Sequence, residues 1–138
     1  MGRRNLAEAS GRLVAGITLD AAALIGIDRN DRRVIALIAR ATELAAPVVV
    51  PASALAQAIR RPERQARLSR LVRQPGTTVV PLDRVDAVRV GRLLAVTGTS
   101  DVVDAHVVVC AQRAKTAVAT SDASDIARLD ASLSVVDL

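Results

Sequence analysis

The chain has 138 residues, of which 51% are hydrophobic, and this length and composition fit one domain with a packed aliphatic core. It contains no Phe, Tyr or Trp, which excludes base stacking on aromatic rings as a mode of nucleic-acid binding. Its only cysteine is Cys110, so an intrachain disulfide is excluded, and no uncharged apolar run reaches the roughly 18 residues of a membrane span.

These features indicate a cytoplasmic protein without a membrane segment. The first 16 residues carry charges but lack the apolar core of a signal peptide. The formal net charge of +5 suits a polyanionic partner such as nucleic acid. A basic surface that only keeps the protein soluble is the alternative explanation.

Strand-like and helix-like segments alternate in the first half of the chain. Apolar residues at helical spacing and β-branched runs distinguish the two kinds of segment. Pro62 interrupts one predicted helix, and Gly76 marks the turn after the basic segment. In chain order we predict a strand at 16–20, a helix at 31–46, a strand at 47–50, and helices at 52–60 and 63–73.

The alternation continues in the second half. Asp83 is the predicted N-cap of a long helix that Gly98 ends, and Ser100 or Asp101 is the predicted N-cap of the next helix. In chain order we predict a strand at 77–82, helices at 83–97 and 101–115, a strand at 116–120, a short helix at 124–129 and a fifth strand at 132–136.

This order predicts an α/β fold with a central parallel sheet of four to five strands and helices on both faces. The domain is expected over residues 16–138, after an N-terminal extension at 1–15. A flexible arm and a wrongly assigned start codon are alternative explanations of these residues. In open parallel sheets, ligands bind outside the carboxyl ends of the strands. The residues that follow each strand are therefore the first candidates for a functional site.

Acidic residues occupy those positions. Asp20 ends the first strand, and Asp122 follows the fourth, with Asp125 one helical turn beyond it. Asp101 and Asp104 open the longest apolar helix at a spacing that places them on one face. Helix capping is an alternative explanation for each residue alone, but capping does not require that all five converge on one sheet edge.

Clustered carboxylates repel one another unless a cation lies between them. Hard divalent ions such as Mg²⁺ and Mn²⁺ prefer oxygen ligands, and a metal held in this way can activate water and stabilise the leaving oxygen of a phosphodiester. Acids on a basic protein therefore indicate a metal-dependent nuclease, in which the basic surface attracts the nucleic acid that the metal site cuts.

Four segments resemble the PIN domain, and their order and spacing fit it over about residues 16–138: ITLDAAALIG, VVVPASALAQAIR, GTSDVVDAHVVVCAQ and AVATSDASDIARL. The resemblance implies an α/β nuclease that uses Mg²⁺ or Mn²⁺. It places the metal-binding acids on Asp20, Asp104 and Asp122, with Asp101 and Asp125 as further catalytic acids. The small size is similar to VapC toxins, which cleave RNA, are blocked by a small antitoxin protein and form homodimers.

One position departs from the family pattern. The acid expected in the helix after the second strand is replaced by Gln57, which keeps a carbonyl oxygen but lacks the negative charge. Gln57 and Ser121 are therefore assigned as auxiliary site residues. The leading hypothesis is an endoribonuclease; the alternatives are a catalytically weakened module that binds RNA or a protein, and a structural member of a complex.

Other features carry less weight. Arg60, Arg61, Arg64 and Arg67 are candidate RNA-binding residues, with a solvated helix face as the alternative. His106 and Cys110 are four residues apart, but two ligands do not make a metal site. We expect a structural role for Cys110 and a packing or surface role for His106. The glycines form no phosphate-binding pattern, so no nucleotide cofactor is expected, and no nucleophile-elbow motif accompanies the single histidine.

Overall fold

The computed structural model describes residue 11 and residues 13–138, and it shows a five-stranded, all-parallel sheet in the order β3-β2-β1-β4-β5. This confirms the predicted α/β fold. The strands are β1 Ile17–Leu19, β2 Val48–Pro51, β3 Thr77–Val80, β4 Ala117–Thr120 and β5 Val135–Asp137. The helices in this part of the chain are α1 Ala21–Asp28, α2 Arg32–Glu43, α3 Ala52–Ala58, α4 Ala66–Val72, α5 Arg84–Thr97, α6 Val102–Ala114 and α7 Ala123–Leu129.

The strand order locates the site. The chain begins at the centre with β1, adds β2 and β3 on one side, and then crosses to add β4 and β5 on the other. Thr18 of β1 stands opposite Val49 of β2 and Val118 of β4. The order reverses between β1 and β4, and in such sheets this point opens the crevice where ligands bind.

The core consists of aliphatic side chains packed on both faces of the central strands. Every residue of β1, β2 and β4 is buried, as expected for parallel strands covered by helices. Leu13 also lies in this core with no exposed surface, although it belongs to the predicted extension at 1–15. The remaining residues of that extension lie outside the described part of the chain, except residue 11, Val14 and Ala15.

Helix α1 was not predicted as a separate element. Its sequence, AAALIGID, is apolar on nearly every side, so it lacks the amphipathic period that identifies a surface helix. The structure shows why the helix forms: Asp20 caps its first turn. Asn30 then adopts a left-handed conformation, with φ at 60°, in the turn that leads to α2.

The basic segment is not one continuous helix, as predicted over 63–73, but a 3-10 turn at Pro62–Arg64 followed by α4. Gln65 accounts for the break. Its buried Oε1 accepts the backbone N–H groups of Arg60 and Arg61, at 3.0 and 3.1 Å, and its Nε2 donates to the carbonyl oxygen of Ala58. One amide side chain thus satisfies backbone groups that the end of α3 leaves unpaired.

No single helix in the described part of the chain has the length and hydropathy needed to cross a membrane. Helices α5 and α6 pass that test only when taken together, and they meet at an angle of 110°.

Candidate metal centre

Three separate elements bring the predicted metal-binding acids to the switch point. Asp20 follows β1, and its backbone N–H bonds to the carbonyl oxygen of Ala119 on β4, at 3.2 Å. Asp122 stands two residues after Thr120, the last residue of β4, and Asp104 lies in the first turn of α6. The adjacency of β1 and β4 therefore places these carboxylates at one edge of the sheet.

Three acids of the cluster also cap helices. Asp20 Oδ1 accepts the N–H of Ala23 at 2.8 Å and caps α1. Asp101 Oδ1 accepts the N–H of Asp104 at 2.9 Å and caps α6. Asp122 Oδ1 caps α7 by accepting the N–H of Asp125 at 3.2 Å. In Asp101 and Asp122 the cap uses Oδ1, so the second oxygen is not needed to hold the helix.

The charges of the other four acids act on Asp104. The pKa of Asp104 is raised to about 6, chiefly because burial disfavours its charge, and then because Asp101, Asp125, Asp20 and Asp122 repel it. Burial also raises the pKa of Asp20, and the charge of Asp122 adds to that effect. Within residues 13–138, no cation forms a salt bridge with Asp20 or Asp104.

Thr120 is a site residue that the sequence analysis missed. Its hydroxyl oxygen accepts the backbone N–H of Asp122 at 3.0 Å, and its side chain also hydrogen-bonds to Asp20, which helps to offset the rise in the pKa of that carboxyl. Thr120 is almost completely buried. Through these hydrogen bonds it joins two of the three acids. Ser121, the hydroxyl residue that the sequence analysis selected, is exposed. In the sequence, the only signal for this part of the site was that Ser121 lies between Thr120 and Asp122.

The residues fit a hard divalent cation. All five acids offer carboxylate oxygens, the ligands that such ions prefer, and neither His106 nor Cys110 contributes a donor here. Arg128 pairs with Asp125 at 3.6 Å, and in the described residues no three of these acids bring their ligand atoms within 4.8 Å of one another. Beside them lies a cavity of about 330 Å³. Its walls are formed by the loop from Gly98 to Asp101, by Asp104 and Asp125, and by Arg128 and Leu129. The cavity leaves room for a phosphate group next to Asp101, Asp104 and Asp125, whereas Asp20 and Asp122 do not line it.

Gln57 is exposed on α3, and its side chain makes no hydrogen bond with an acid in the described part of the chain. It stands four residues after Ser53, so the two share a helix face. The Oγ atom of Ser53 lies 2.7 Å from Nδ1 of His106, two residues after Asp104. Gln57 therefore belongs to the side of α3 that faces α6, the helix that carries Asp104.

The candidate RNA-binding arginines separate into two groups. Arg60 folds back, and its guanidinium donates to the carbonyl oxygens of Ala56 and Ile59 at the end of α3. Arg61, Arg64 and Arg67 are exposed on the turn and on α4. Arg60 thus has a structural partner, whereas the other three present their charge to solvent.

A second group of candidate ligands lies inside the protein. Donor atoms of Asp86, His106 and Cys110 all lie within 4.8 Å of one another. However, Arg113 donates to both oxygens of the Asp86 carboxylate, and burial raises the pKa of the Cys110 thiol to about 12. The group is therefore a satisfied polar network, in which His106 is buried and makes a hydrogen bond with Asp86, 20 residues earlier.

The fold and the acid cluster together define a class: a parallel α/β domain that carries clustered carboxylates at its topological switch point. A family model for the PIN domain matches residues 17–131, and the protein belongs to the PIN-domain family. PIN domains are generally metal-dependent nucleases, and many act on RNA. No curated protein matches the chain.

Proposed function

We propose that this protein is an endoribonuclease dependent on Mg²⁺ or Mn²⁺ and that it is the VapC-like toxin of a type II toxin–antitoxin pair. The observation that carries the proposal is the convergence of Asp20, Asp104 and Asp122, with Asp101 and Asp125, on one edge of a basic protein. Asp20 is buried and Asp104 is half-buried, and neither has a cation as partner in the described residues. Burial of carboxylates without a cation destabilises a fold, so an ion that neutralises the cluster explains it best.

In this proposal Asp20, Asp104 and Asp122 hold the metal ion, and Asp101 and Asp125 line the approach to it. An ion bound there would supply an activated water and would stabilise the leaving oxygen of the phosphodiester. Thr120 orients Asp20 and Asp122 through its two hydrogen bonds. Asp20 is 6% exposed, so its carboxylate is shielded from bulk water.

RNA would approach along the exposed arginines of the turn and α4. Arg61, Arg64 and Arg67 offer charge to phosphates, and Arg128 lines the cavity beside the acids. Contacts of this kind position a nucleic acid without reading its sequence. Together with the lack of aromatic residues, this supports recognition by charge and shape rather than by base stacking.

A homodimer and a small antitoxin complete the proposal. Helix α5 exposes apolar side chains that a monomer leaves in water: Val85 is 57% exposed, Val88 48% and Val96 86%. Clustered exposed apolar residues are typical of protein interfaces. We assign this face to the homodimer, and we place the protein in the cytoplasm, where its RNA substrate and an antitoxin that blocks it would be present.

A weakened module that binds RNA or a protein without cutting is the second candidate. Gln57 favours it, because an amide in place of a carboxylate removes one negative charge from the helix beside α6. Such a module would still bind RNA through its arginines, but it would bind a divalent ion weakly.

A metal titration by calorimetry distinguishes these candidates. The wild-type chain should bind Mn²⁺, and Asp104→Asn should abolish binding while the protein stays folded. Glu43→Gln is the matched control, because Glu43 is an exposed acid at the far end of α2 whose ion pair with Arg40 contributes little. Wild-type protein that binds no Mn²⁺ would contradict the nuclease proposal, and equal losses in both variants would show a nonspecific effect of charge.

A further inference from the structure

A chain of hydrogen bonds, buried at its centre and partly buried at its ends, joins three helices beside the acid cluster. His106 lies on α6, two residues after Asp104, and has no exposed surface. Its Nδ1 lies 2.7 Å from the Oγ of Ser53 in the first turn of α3. Its Nε2 lies 3.1 Å from Oδ2 of Asp86 in the first turn of α5. Arg113, in the last turn of α6, donates to both oxygens of Asp86 and closes the chain.

The direction of each hydrogen bond follows from the charges. The hydrogen bond from Arg113 holds the pKa of Asp86 below its usual range, so that carboxylate is ionised and can only accept. The Nε2–H of His106 therefore donates to Asp86. The Nδ1 of His106 makes the other hydrogen bond, with the hydroxyl of Ser53. No buried side-chain polar atom in the described residues lacks a partner, so a broken link here would leave another group unpaired.

These hydrogen bonds can fix the rotation of α6 about its axis, which apolar packing does not fix. The buried face of α6 consists largely of Ala and Val, and contact between such side chains is not directional. A carboxylate oxygen lies roughly 5–6 Å from its helix axis, so a rotation of about 20° would move it by about 2 Å. Metal–ligand distances tolerate only about 0.2 Å. The hydrogen bonds on both sides of α6 restrict such a rotation.

We propose that the Ser53–His106–Asp86 chain sets the position of Asp104 for metal binding, with His106 as a positioning residue. This inference rests on the proposed function, since it assumes that Asp104 binds the ion. Substitution of residues that orient metal ligands typically lowers metal affinity by about 10- to 100-fold. His106 acts through the helix rather than on the ligand itself, so we expect the lower end, about tenfold.

The test measures Mn²⁺ affinity by calorimetry on the full chain. His106→Ala should weaken binding about tenfold, Ser53→Ala should weaken it several-fold, and Ser53→Thr, which keeps the hydroxyl, should restore it. Val108→Ala is the control for stability alone: Val108 is fully buried on the same helix, so this variant should melt earlier but bind Mn²⁺ normally. Nitrogen NMR of the wild-type ring should show the proton on Nε2.

Each outcome bears on the inference. Normal Mn²⁺ affinity in Ser53→Ala and in a folded His106→Ala would overturn it and leave the proposed function intact. Equal weakening in Val108→Ala would also overturn it, because general destabilisation would then explain the loss. If His106→Ala does not fold, the Mn²⁺ affinities of Ser53→Ala and Ser53→Thr decide whether the inference holds. Absence of Mn²⁺ binding in the wild-type chain would instead refute the proposed function, and the inference with it.

Discussion

Asp104→Asn should stabilise the metal-free protein at neutral pH while it abolishes metal binding. The pKa of Asp104 rises from its ordinary value of 3.8 to about 6, so ionisation is less favourable in the folded state than in the unfolded one. A shift of about two units corresponds to about 3 kcal/mol if nothing is screened. Asp104 is only half-buried, so we discount this to about 1 kcal/mol.

The direction of the Asp104 pKa shift determines the pH range over which stability changes. Because the folded-state pKa lies above the unfolded value, the stabilising contribution of Asp104 is fully present below about pH 4 and is lost as the pH rises through about 6. Wild-type protein in chelator should therefore lose about 1 kcal/mol, or about 4 °C in melting temperature, across this range. Asp104→Asn should lack that part of the loss.

Urea denaturation at pH 4 and pH 7.5, with chelator, measures the difference directly. Adding Mn²⁺ at about 100 times its Kd should raise the free energy of unfolding of the wild type by about 2.7 kcal/mol at pH 7.5. It should leave that of the variant unchanged. The same pH dependence in both proteins would refute the reasoning, since it would mean that Asp104 ionises without cost.

Three further predictions concern other parts of the site and the surface. Gln57→Glu should tighten Mn²⁺ binding several-fold by calorimetry, because an added carboxylate attracts the ion more than the neighbouring acids repel it; unchanged affinity would place Gln57 outside the site. Thr120→Val should cost about 1–2 kcal/mol in urea denaturation and weaken Mn²⁺ binding, since the N–H of Asp122 loses its acceptor; a fully stable variant would show that this bond is dispensable. Wild-type protein should sediment as a dimer at tens of micromolar and Val88→Glu as a monomer, because a buried charge opposes the contact; a wild-type monomer would contradict the assignment of α5.

The sequence predicted the sheet well because parallel strands leave strong local signals. The β-branched run of β2 and the cap-to-glycine pattern from Asp83 to Gly98 each correspond to an observed element. The positions of Asp20 and Asp122 after their strands were enough to bring them together, since carboxyl ends of parallel strands meet at one edge.

Features without a periodic or local signature could not be predicted. Helix α1 is apolar on nearly every side, so its period is hidden. The contact between Ser53 and His106 joins residues 53 positions apart, and only the packing of α3 on α6 creates it. Gln65 likewise has no motif that marks it as the residue that ends one helix and sets the next turn.

The central claim is that clustered acids at the switch point hold a divalent ion that cuts RNA, and one cleavage assay tests it most directly. Purified wild-type protein is incubated with a structured RNA in Mn²⁺, in Mg²⁺ and in chelator, beside Asp20→Asn and the control Glu43→Gln. The account predicts metal-dependent cleavage by wild type and control, and none by Asp20→Asn, although that variant stays folded. Cleavage that survives in chelator, or in Asp20→Asn at the wild-type rate, would contradict it.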